Sequence, residues 1–137
     1  WKLLFFKEGD FKYVNKKSSN WNRGAYLVEA VAHCGECHSP RNIFGGIKNY
    51  KSLSGNMTGL HNLSAPNITP DFATGIGKWT KSDFLDFLQS GMLPNGDFTG
   101  GKMAEVIDNF SLLKRKDTKA ITDYILSLKP IKGNIGG

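Results

Sequence analysis

The sequence is poor in the residues that most often bind metal ions, with two cysteines, three histidines and three methionines among 137 residues. Cys34 and Cys37 are the only cysteines, so a zinc site would need two histidines in addition. His38 directly follows Cys37, which is the wrong spacing for the usual zinc pattern. Signals for β-strands are absent around the pair, which argues against the βαβ setting of a thioredoxin-like motif.

Long apolar runs are absent as well. The apolar stretch at the start, residues 1–6, is too short for a membrane span or for the core of a signal peptide. Because the chain starts at Trp1 without an initiator methionine, we expect a processed or truncated chain from which a signal segment or a preceding domain is missing. Residues 1–20 are predicted to form an arm or interdomain connector, followed by a domain over 21–132 and a tail over 133–137.

Acidic residues are in the minority, 12 against 18 basic ones, and the formal net charge is +6. Much of the excess lies in two clusters, namely Lys2, Lys7, Lys12, Lys16, Lys17 and Arg23 near the start and Lys114, Arg115, Lys116 and Lys119 near the end. Such charge suits either a solvated surface or attraction toward an acidic redox partner or an anionic membrane surface. Aromatic residues do not alternate with the basic ones as a stacking platform requires, so we expect no nucleic-acid partner.

The specific feature that the sequence does contain is Cys34-Gly35-Glu36-Cys37-His38, the c-type haem attachment signature. Two thiols on one helical turn can each add to a vinyl group of the porphyrin, and the following histidine can bind the iron. We therefore predict one haem c, bound covalently through Cys34 and Cys37, with His38 as the first axial ligand. A structural disulfide is the alternative for any cysteine pair, but it does not account for His38.

Four further residues are candidate contacts of the haem. The carbonyl of Pro40 is expected to accept a hydrogen bond from the free imidazole N–H of His38 and thereby to orient the ring. Arg41 and Trp79 are candidate partners of a haem propionate, although a surface position for Arg41 and core packing for Trp79 are equally compatible with the sequence. Asn67 lies between two prolines in a stiff segment that is expected to line the macrocycle.

Apolar periodicity predicts three helices: one from an N-cap at Asn22 to about Cys34, one over 81–90 with a capping box at Thr80 and Asp83, and one over 117–128. Residues 39–77 are rich in glycine, asparagine, serine and proline and are predicted to be loop. A loop of this length inside a domain is unusual, but a haem would provide a surface on which it can pack.

The second axial position of the iron has five candidate ligands, Met57, Met92, Met103, His33 and His61. His33 precedes Cys34 on the same predicted helix and is therefore expected to point away from the vacant face. A glycine-rich stretch leads to Met103, so that a loop can carry its thioether across the haem, and we favour Met103 over Met57 and His61. Methionine ligation would raise the reduction potential relative to two histidines, which suits a carrier late in a respiratory chain.

With these motifs, the chain resembles class I cytochromes c over residues 21–132, and more narrowly the diheme or multiheme cytochrome c subunits of bacterial membrane-bound alcohol, aldehyde and gluconate dehydrogenases. The stretches that carry the resemblance are 23–28, 33–42, 66–71, 74–79 and 100–106. The resemblance implies an all-α cytochrome c fold, with helices and long loops wrapped around one covalently bound haem. It also implies that the first and last helices cross near Gly24 and Tyr124, and that Met103 is the distal ligand.

The function that follows from the motif and the resemblance is one-electron transfer in a periplasmic respiratory chain, by an electron carrier rather than an enzyme. Covalent haem attachment of this kind takes place outside the bacterial cytoplasmic membrane, so we expect a periplasmic protein, soluble or at the outer face of the inner membrane. Expected partners are a dehydrogenase subunit as donor, a cytochrome or terminal oxidase as acceptor, and a second haem domain. The alternatives are a haem enzyme that oxidises thiosulfate or reduces peroxide at a labile sixth position, and a haem-based gas sensor.

Overall fold

Helices and long loops make up residues 9–57 and 64–133, the parts of the chain that the computed structural model describes. In chain order the helices are α1 (Ser19–Tyr26, continued by a π-helical turn over Leu27–Val31), α2 (Cys34–His38), α3 (Lys81–Ser90), α4 (Gly101–Phe110) and α5 (Arg115–Leu126), with a 3₁₀ turn at Asn49–Lys51. Within these ranges there is no β-strand, only isolated bridges such as the one between Arg41 and Ile47. The predicted all-α class is therefore confirmed.

Within residues 9–57 and 64–133, no helix combines the length and the apolar character that a membrane span requires.

The core forms where α1 crosses α5. A Cβ atom at Gly24 would lie 2.0 Å from the carbonyl oxygen of Ala120 and 2.7 Å from the Cβ of Tyr124, so the two backbones approach at a position that only glycine can occupy. The predicted crossing of the first and last helices near Gly24 and Tyr124 is confirmed. The buried apolar residues around it are Ala25, Leu27, Val28, Leu53, Ile76, Phe84, Phe87, Leu88, Ile107, Ile121, Tyr124 and Ile125.

Helix α1 begins earlier and ends earlier than predicted. Its N-cap is Ser18, whose hydroxyl accepts a hydrogen bond from the backbone N–H of Trp21 at 3.1 Å. Asn22, the predicted N-cap, is instead buried inside the helix, where its side chain pairs with both the N–H and the carbonyl of Val14. This contact ties the preceding arm to the domain, so the side chain that looked like a cap in the sequence serves a tertiary contact.

Helix α3 matches its prediction at both ends. Thr80 and Asp83 form the predicted capping box, in which each side chain accepts a hydrogen bond from the backbone N–H of the other. Gly91 ends the helix in the left-handed conformation, with φ of 76°. Helix α5 spans Arg115–Leu126 and is thus displaced by two residues from the predicted 117–128.

Helix α4 was not predicted from the sequence. The glycine-rich stretch before Met103 predicts a loop that carries this side chain, but Met103 lies in the first turn of Gly101–Phe110. The glycines at 100 and 101 mark the start of this helix and therefore concealed it. The expected loop over 39–77 is confirmed where it is described, with the short turn at Asn49–Lys51 as its one helical segment there.

Candidate haem-attachment site

Helix α2 holds both cysteines and the histidine of the attachment signature. His33 stands at its N-cap in the left-handed conformation, with φ of 50°, and separates α2 from the π-helical turn that ends α1. The prediction that His33 shares a helix with Cys34 is therefore wrong. The left-handed backbone at His33 interrupts the helical path just before the signature, so α1 and α2 are separate elements.

The two cysteines are free thiols with different surroundings. Cys37 is exposed, whereas Cys34 is half-buried and packs against the apolar core. Burial raises the pKa of the Cys34 thiol to about 11, so this side chain is neutral at pH 7. Because the thiols are three residues apart on a helix, they lie about one turn apart on the same side of α2.

His38, at the end of α2, is buried with 9% of its surface exposed. Its Nδ1 lies 2.8 Å from the carbonyl oxygen of Pro66, and since a carbonyl can only accept, Nδ1 carries the proton. The other ring nitrogen, Nε2, then has a lone pair available for a metal ion. Burial lowers the pKa of His38, with the hydrogen bond to Pro66 acting in the opposite direction, so the imidazole is neutral at pH 7.

The expected acceptor for this ring was the carbonyl of Pro40, and that prediction is wrong. The Pro40 carbonyl instead accepts from the backbone N–H of Lys48 at 2.9 Å. Pro66 is 28 residues from His38 in sequence and reaches it only because the long loop folds back. No local pattern indicates which carbonyl the imidazole will meet, although Pro66 does belong to the segment expected to line the macrocycle.

Asn67 holds the chain around Pro66 in place. Its side-chain amide donates to Thr74 Oγ1 at 2.9 Å and to the carbonyl of Ile131 at 2.8 Å, and its oxygen accepts from the backbone N–H of Thr69 at 2.8 Å. Asn67 is itself buried. It therefore positions the carbonyl that orients His38, and its predicted direct contact with a haem stays a prediction.

Arg41 connects α2 to the loop that follows. Its guanidinium donates to the carbonyl and to the carboxylate of Glu36, and also to the carbonyl of Gly45 at 2.7 Å. The side chain is 17% exposed. These contacts engage the guanidinium within the protein, and its predicted contact with a haem propionate stays a prediction.

Trp79 packs beside α3. Its ring lies 5.4 Å from that of Phe87 and 6.1 Å from that of Phe84, both measured between centroids. The side chain is half-buried at the edge of the core. Packing of this kind is the alternative that the sequence left open, and the predicted hydrogen bond to a propionate stays a prediction.

The three methionines differ in their surroundings. Met103 is half-buried and packs against the apolar core, whereas Met57 is 46% and Met92 39% exposed. The sulfur of Met57 accepts a hydrogen bond from Ser64 Oγ at 3.5 Å. His61, the remaining candidate, lies outside the described residues.

One contact beside the site is indicated by no sequence motif. The hydroxyl of the buried Tyr124 donates to the carboxylate of Glu29, which lies in the π-helical turn before α2. Burial is the main cause that raises the pKa of Tyr124, with the Glu29 contact next, so this hydroxyl stays protonated. The two residues are 95 positions apart, so no local spacing reveals the pair.

The residues of α2 fit a covalently attached haem. Two thiols without a disulfide stand about one turn apart, and a neutral imidazole with its Nδ1 proton already engaged follows directly. This is the donor set that thioether bonds and axial ligation to iron require. The described part of the chain is thus all-helical, and it carries a c-type haem attachment signature whose side chains fit that group.

Comparison with known proteins places the chain among particular relatives. It is 36% identical over 137 residues to a diheme cytochrome c-type protein of Cereibacter sphaeroides, covering 96% of this chain and 43% of that protein. It is also 36% identical to the fructose dehydrogenase cytochrome subunit of Gluconobacter japonicus, covering 99% of this chain and 28% of the relative. The cytochrome c subunit of the quinone-dependent alcohol dehydrogenase of Gluconobacter oxydans is 32% identical over 80% of this chain and 24% of its own length.

No family model matches the chain. The chain is homologous over most of its length to cytochrome c subunits of bacterial dehydrogenases, as the resemblance in the sequence implied. It spans less than half of the length of these curated relatives.

Proposed function

We propose that the chain is a one-electron transfer domain with a single haem c, attached through Cys34 and Cys37 and ligated by His38 and Met103. The observation that carries the proposal is the state of His38, whose Nδ1 is engaged by the Pro66 carbonyl while Nε2 keeps its lone pair. A bound haem would supply an iron that accepts and releases one electron.

The chain's own residues account for binding and orientation. The Pro66 carbonyl holds the tautomer and the plane of the imidazole, and Asn67 holds Pro66 in turn. A hydrogen bond from the ring nitrogen that does not bind the metal fixes the orientation of a histidine and raises the basicity of its ligating nitrogen. Partial burial of Cys34 keeps one edge of the site apolar, which limits the access of water to the bound group.

All three methionines lie in the part of the chain that the structure describes, and of these Met103 packs against the apolar core while Met57 and Met92 are exposed. Met103 is therefore proposed as the distal ligand. A methionine held in this way at the start of α4 has a defined position. Retention of both ligands in both oxidation states would leave no open site for a substrate, which distinguishes a carrier from the haem enzymes and gas sensors considered as alternatives.

The names of the fructose and alcohol dehydrogenase subunits support association with a dehydrogenase. The diheme relative, and the fact that this chain spans less than half of each relative's length, support a larger protein. We infer that the chain belongs to a larger periplasmic protein with at least one further haem domain. It would receive electrons from a dehydrogenase subunit and pass them to a cytochrome or terminal oxidase.

The axial ligand is tested by Met103→Ala in the haem-loaded protein. We expect the weak far-red absorption of a sulfur–iron bond in the ferric protein, and its loss in this variant. Met92→Ala is the matched control, since it makes the same change at a methionine that is 39% exposed and is not the proposed ligand. Persistence of the band in Met103→Ala, or its loss in Met92→Ala, would show that the ligand is assigned wrongly.

The choice between carrier and enzyme is tested by carbon monoxide. The unaltered ferrous protein should bind it slowly and weakly, because the sixth position is filled, and Met103→Ala should bind it fast. Rapid binding by the unaltered protein would favour the alternative of a haem enzyme or sensor.

A further inference from the structure

Leu53 has a strained backbone. Among the described residues, Leu53 and His33 are the non-glycine residues with a positive φ, 64° and 50°. In this left-handed conformation the Cβ atom lies too close to the following carbonyl oxygen, which disfavours every residue except glycine. Such strain persists only where the surrounding structure enforces it, and it is concentrated at functional sites. Leu53 is 4% exposed and belongs to the apolar core, so the packing around it holds the conformation.

The left-handed conformation lets the backbone of Leu53 connect two different segments. Its N–H donates to Ser39 Oγ at 2.9 Å, and its carbonyl accepts from the N–H of Ile68 at 3.0 Å. In an extended strand the N–H and the carbonyl of one residue are directed to the same neighbour. An extended Leu53 could therefore not bond to both segments, which gives a physical reason for the strain.

These two segments contain the two partners of the hydrogen bond that orients His38. Ser39 directly follows His38, and Ile68 lies two residues after Pro66. The Pro66 carbonyl is 2.8 Å from Nδ1 of His38. The backbone of Leu53 thus links the residue beside the imidazole to the segment that carries its acceptor.

Gly55 makes a second connection between the same segments. Its N–H donates to the backbone carbonyl of His38 at 2.7 Å. Its φ is 90°, and an added Cβ would lie 2.8 Å from the backbone nitrogen of Asn67, so the chain passes directly against the residue that follows the accepting proline. Residues 53–55 therefore form a backbone spacer between the end of α2 and the segment around Asn67.

The hydroxyl of Ser39 is the side-chain group to which the spacer is bonded. Ser39 is fully buried, with 0% of its surface exposed, at the C-cap of α2. Its oxygen accepts from a backbone N–H that is 14 positions away in sequence. Without this oxygen, a buried N–H of a strained residue would lose its acceptor, which is a costly arrangement.

We propose that Ser39 and Leu53 are positioning residues for His38. Through the spacer they hold the Pro66 carbonyl against the imidazole. The inference rests on the proposed role of His38 as an axial ligand of the haem iron. A hydrogen bond from Nδ1 raises the basicity of the ligating nitrogen and fixes the ring plane. A loosened spacer weakens this bond, although neither Ser39 nor Leu53 is itself bonded to the imidazole.

The test is Ser39→Ala in the whole haem-loaded ferrous protein, with ¹⁵N-labelled histidine, followed by nuclear magnetic resonance of the His38 Nδ1 proton. We expect this proton to exchange with water about tenfold faster than in the unaltered protein, a factor that corresponds to leaving one buried donor unpaired. We also expect a higher reduction potential, because a less basic histidine stabilises ferric iron less.

Ser54→Ala is the matched control. Ser54 lies in the spacer and is 3% exposed, but its hydroxyl donates to the carbonyl of Lys51 in the same loop at 2.7 Å. In this variant the exchange rate of the His38 proton and the reduction potential should equal those of the unaltered protein. Unchanged exchange in Ser39→Ala, or an equal acceleration in Ser54→Ala, would overturn the proposal.

Two substitutions at position 53 test the strained conformation. Leu53→Gly and Leu53→Ala both remove the buried side chain beyond Cβ, but glycine adopts a positive φ without a steric penalty. At most positions glycine lowers Tm relative to alanine, because it loses more freedom on folding. Here we expect Leu53→Gly to unfold at the same Tm as Leu53→Ala or at a higher one. A clearly lower Tm for Leu53→Gly would show that Leu53 is not held in this conformation, and the spacer argument would be wrong.

The same spectra separate a failure of this inference from a failure of the proposed function. In a ferrous haem protein the ring current of the haem shifts the ring-carbon protons of an axial histidine strongly upfield. If the protons of His38 lack this shift, His38 is not the ligand, and the proposed function fails together with the inference. If they carry it while Ser39→Ala leaves the exchange rate unchanged, His38 remains the ligand and only the positioning role is wrong.

Discussion

The crossing of α1 and α5 leads to a prediction of defined size. In Gly24→Ala the new Cβ would lie 2.0 Å from the Ala120 carbonyl oxygen and 2.7 Å from its carbonyl carbon. These atoms belong to the backbone of α5 and cannot rotate away as a side chain would. Since ordinary contacts lie near 3.5 Å, the two helices must separate by about 1 Å or more.

The cost of this separation can be estimated. Overpacking in a core costs about 1–3 kcal/mol and occasionally more, and a clash with backbone on one side belongs at the upper end. Alanine favours a helix interior over glycine by about 1 kcal/mol, which offsets part of the loss. We therefore expect Gly24→Ala to lower the free energy of unfolding by about 2–3 kcal/mol, which corresponds to roughly 10 °C in Tm for a chain of this size.

The assay is thermal or urea unfolding of the haem-loaded protein, followed by far-ultraviolet circular dichroism. Gly35→Ala is the matched control, because Gly35 is also helical and its added Cβ would meet nothing closer than Ser39 Oγ at 3.4 Å. We expect the stability of this control to be equal to that of the unaltered protein or slightly higher. A loss below about 0.5 kcal/mol in Gly24→Ala would refute the argument, since that is the size of a surface substitution.

Two further predictions concern the ends of helices. Thr80→Ala removes the hydroxyl that accepts from the Asp83 N–H at 3.1 Å. It should lower the free energy of unfolding, measured in urea, by about 1 kcal/mol. Ser82→Ala is the control, and an equal loss of stability there would contradict the capping argument. The hydrogen bond from Arg23 lowers the pKa of Asp117, so this carboxylate stabilises the folded state above its unfolded pKa of about 3.9 and loses that effect as pH falls. The Tm of Asp117→Asn should therefore approach that of the unaltered protein in acid, and a constant difference at every pH would refute the assignment.

Local patterns predicted the features whose causes are themselves local. The boundaries of α3 follow from the capping box at Thr80 and Asp83 and from Gly91, all within a few residues of the ends. The attachment signature likewise lies within five residues. The same reasoning missed α4, because two glycines at its start hide a helix whose apolar residues pack on distant parts of the core.

Hydrogen bonds between distant segments were not indicated by any local pattern, although the resemblance did imply the crossing of the helices near Gly24 and Tyr124. Pro66 rather than Pro40 accepts from His38, and Tyr124 meets Glu29 across 95 positions. Asn22 looked like a helix cap but its side chain holds the backbone of Val14. In each case a polar group is paired by a partner that only the folded chain brings within reach.

The sequence by itself determined the all-α class and the attachment signature at Cys34, Cys37 and His38 on which the proposed haem site depends, because adjacent residues carry that chemistry. The tertiary structure decided which carbonyl orients the imidazole, where Met103 lies, and that Leu53 takes the left-handed conformation. These depend on how the loop over 39–77 folds back onto the helices, and hydrogen bonds between distant segments determine that path.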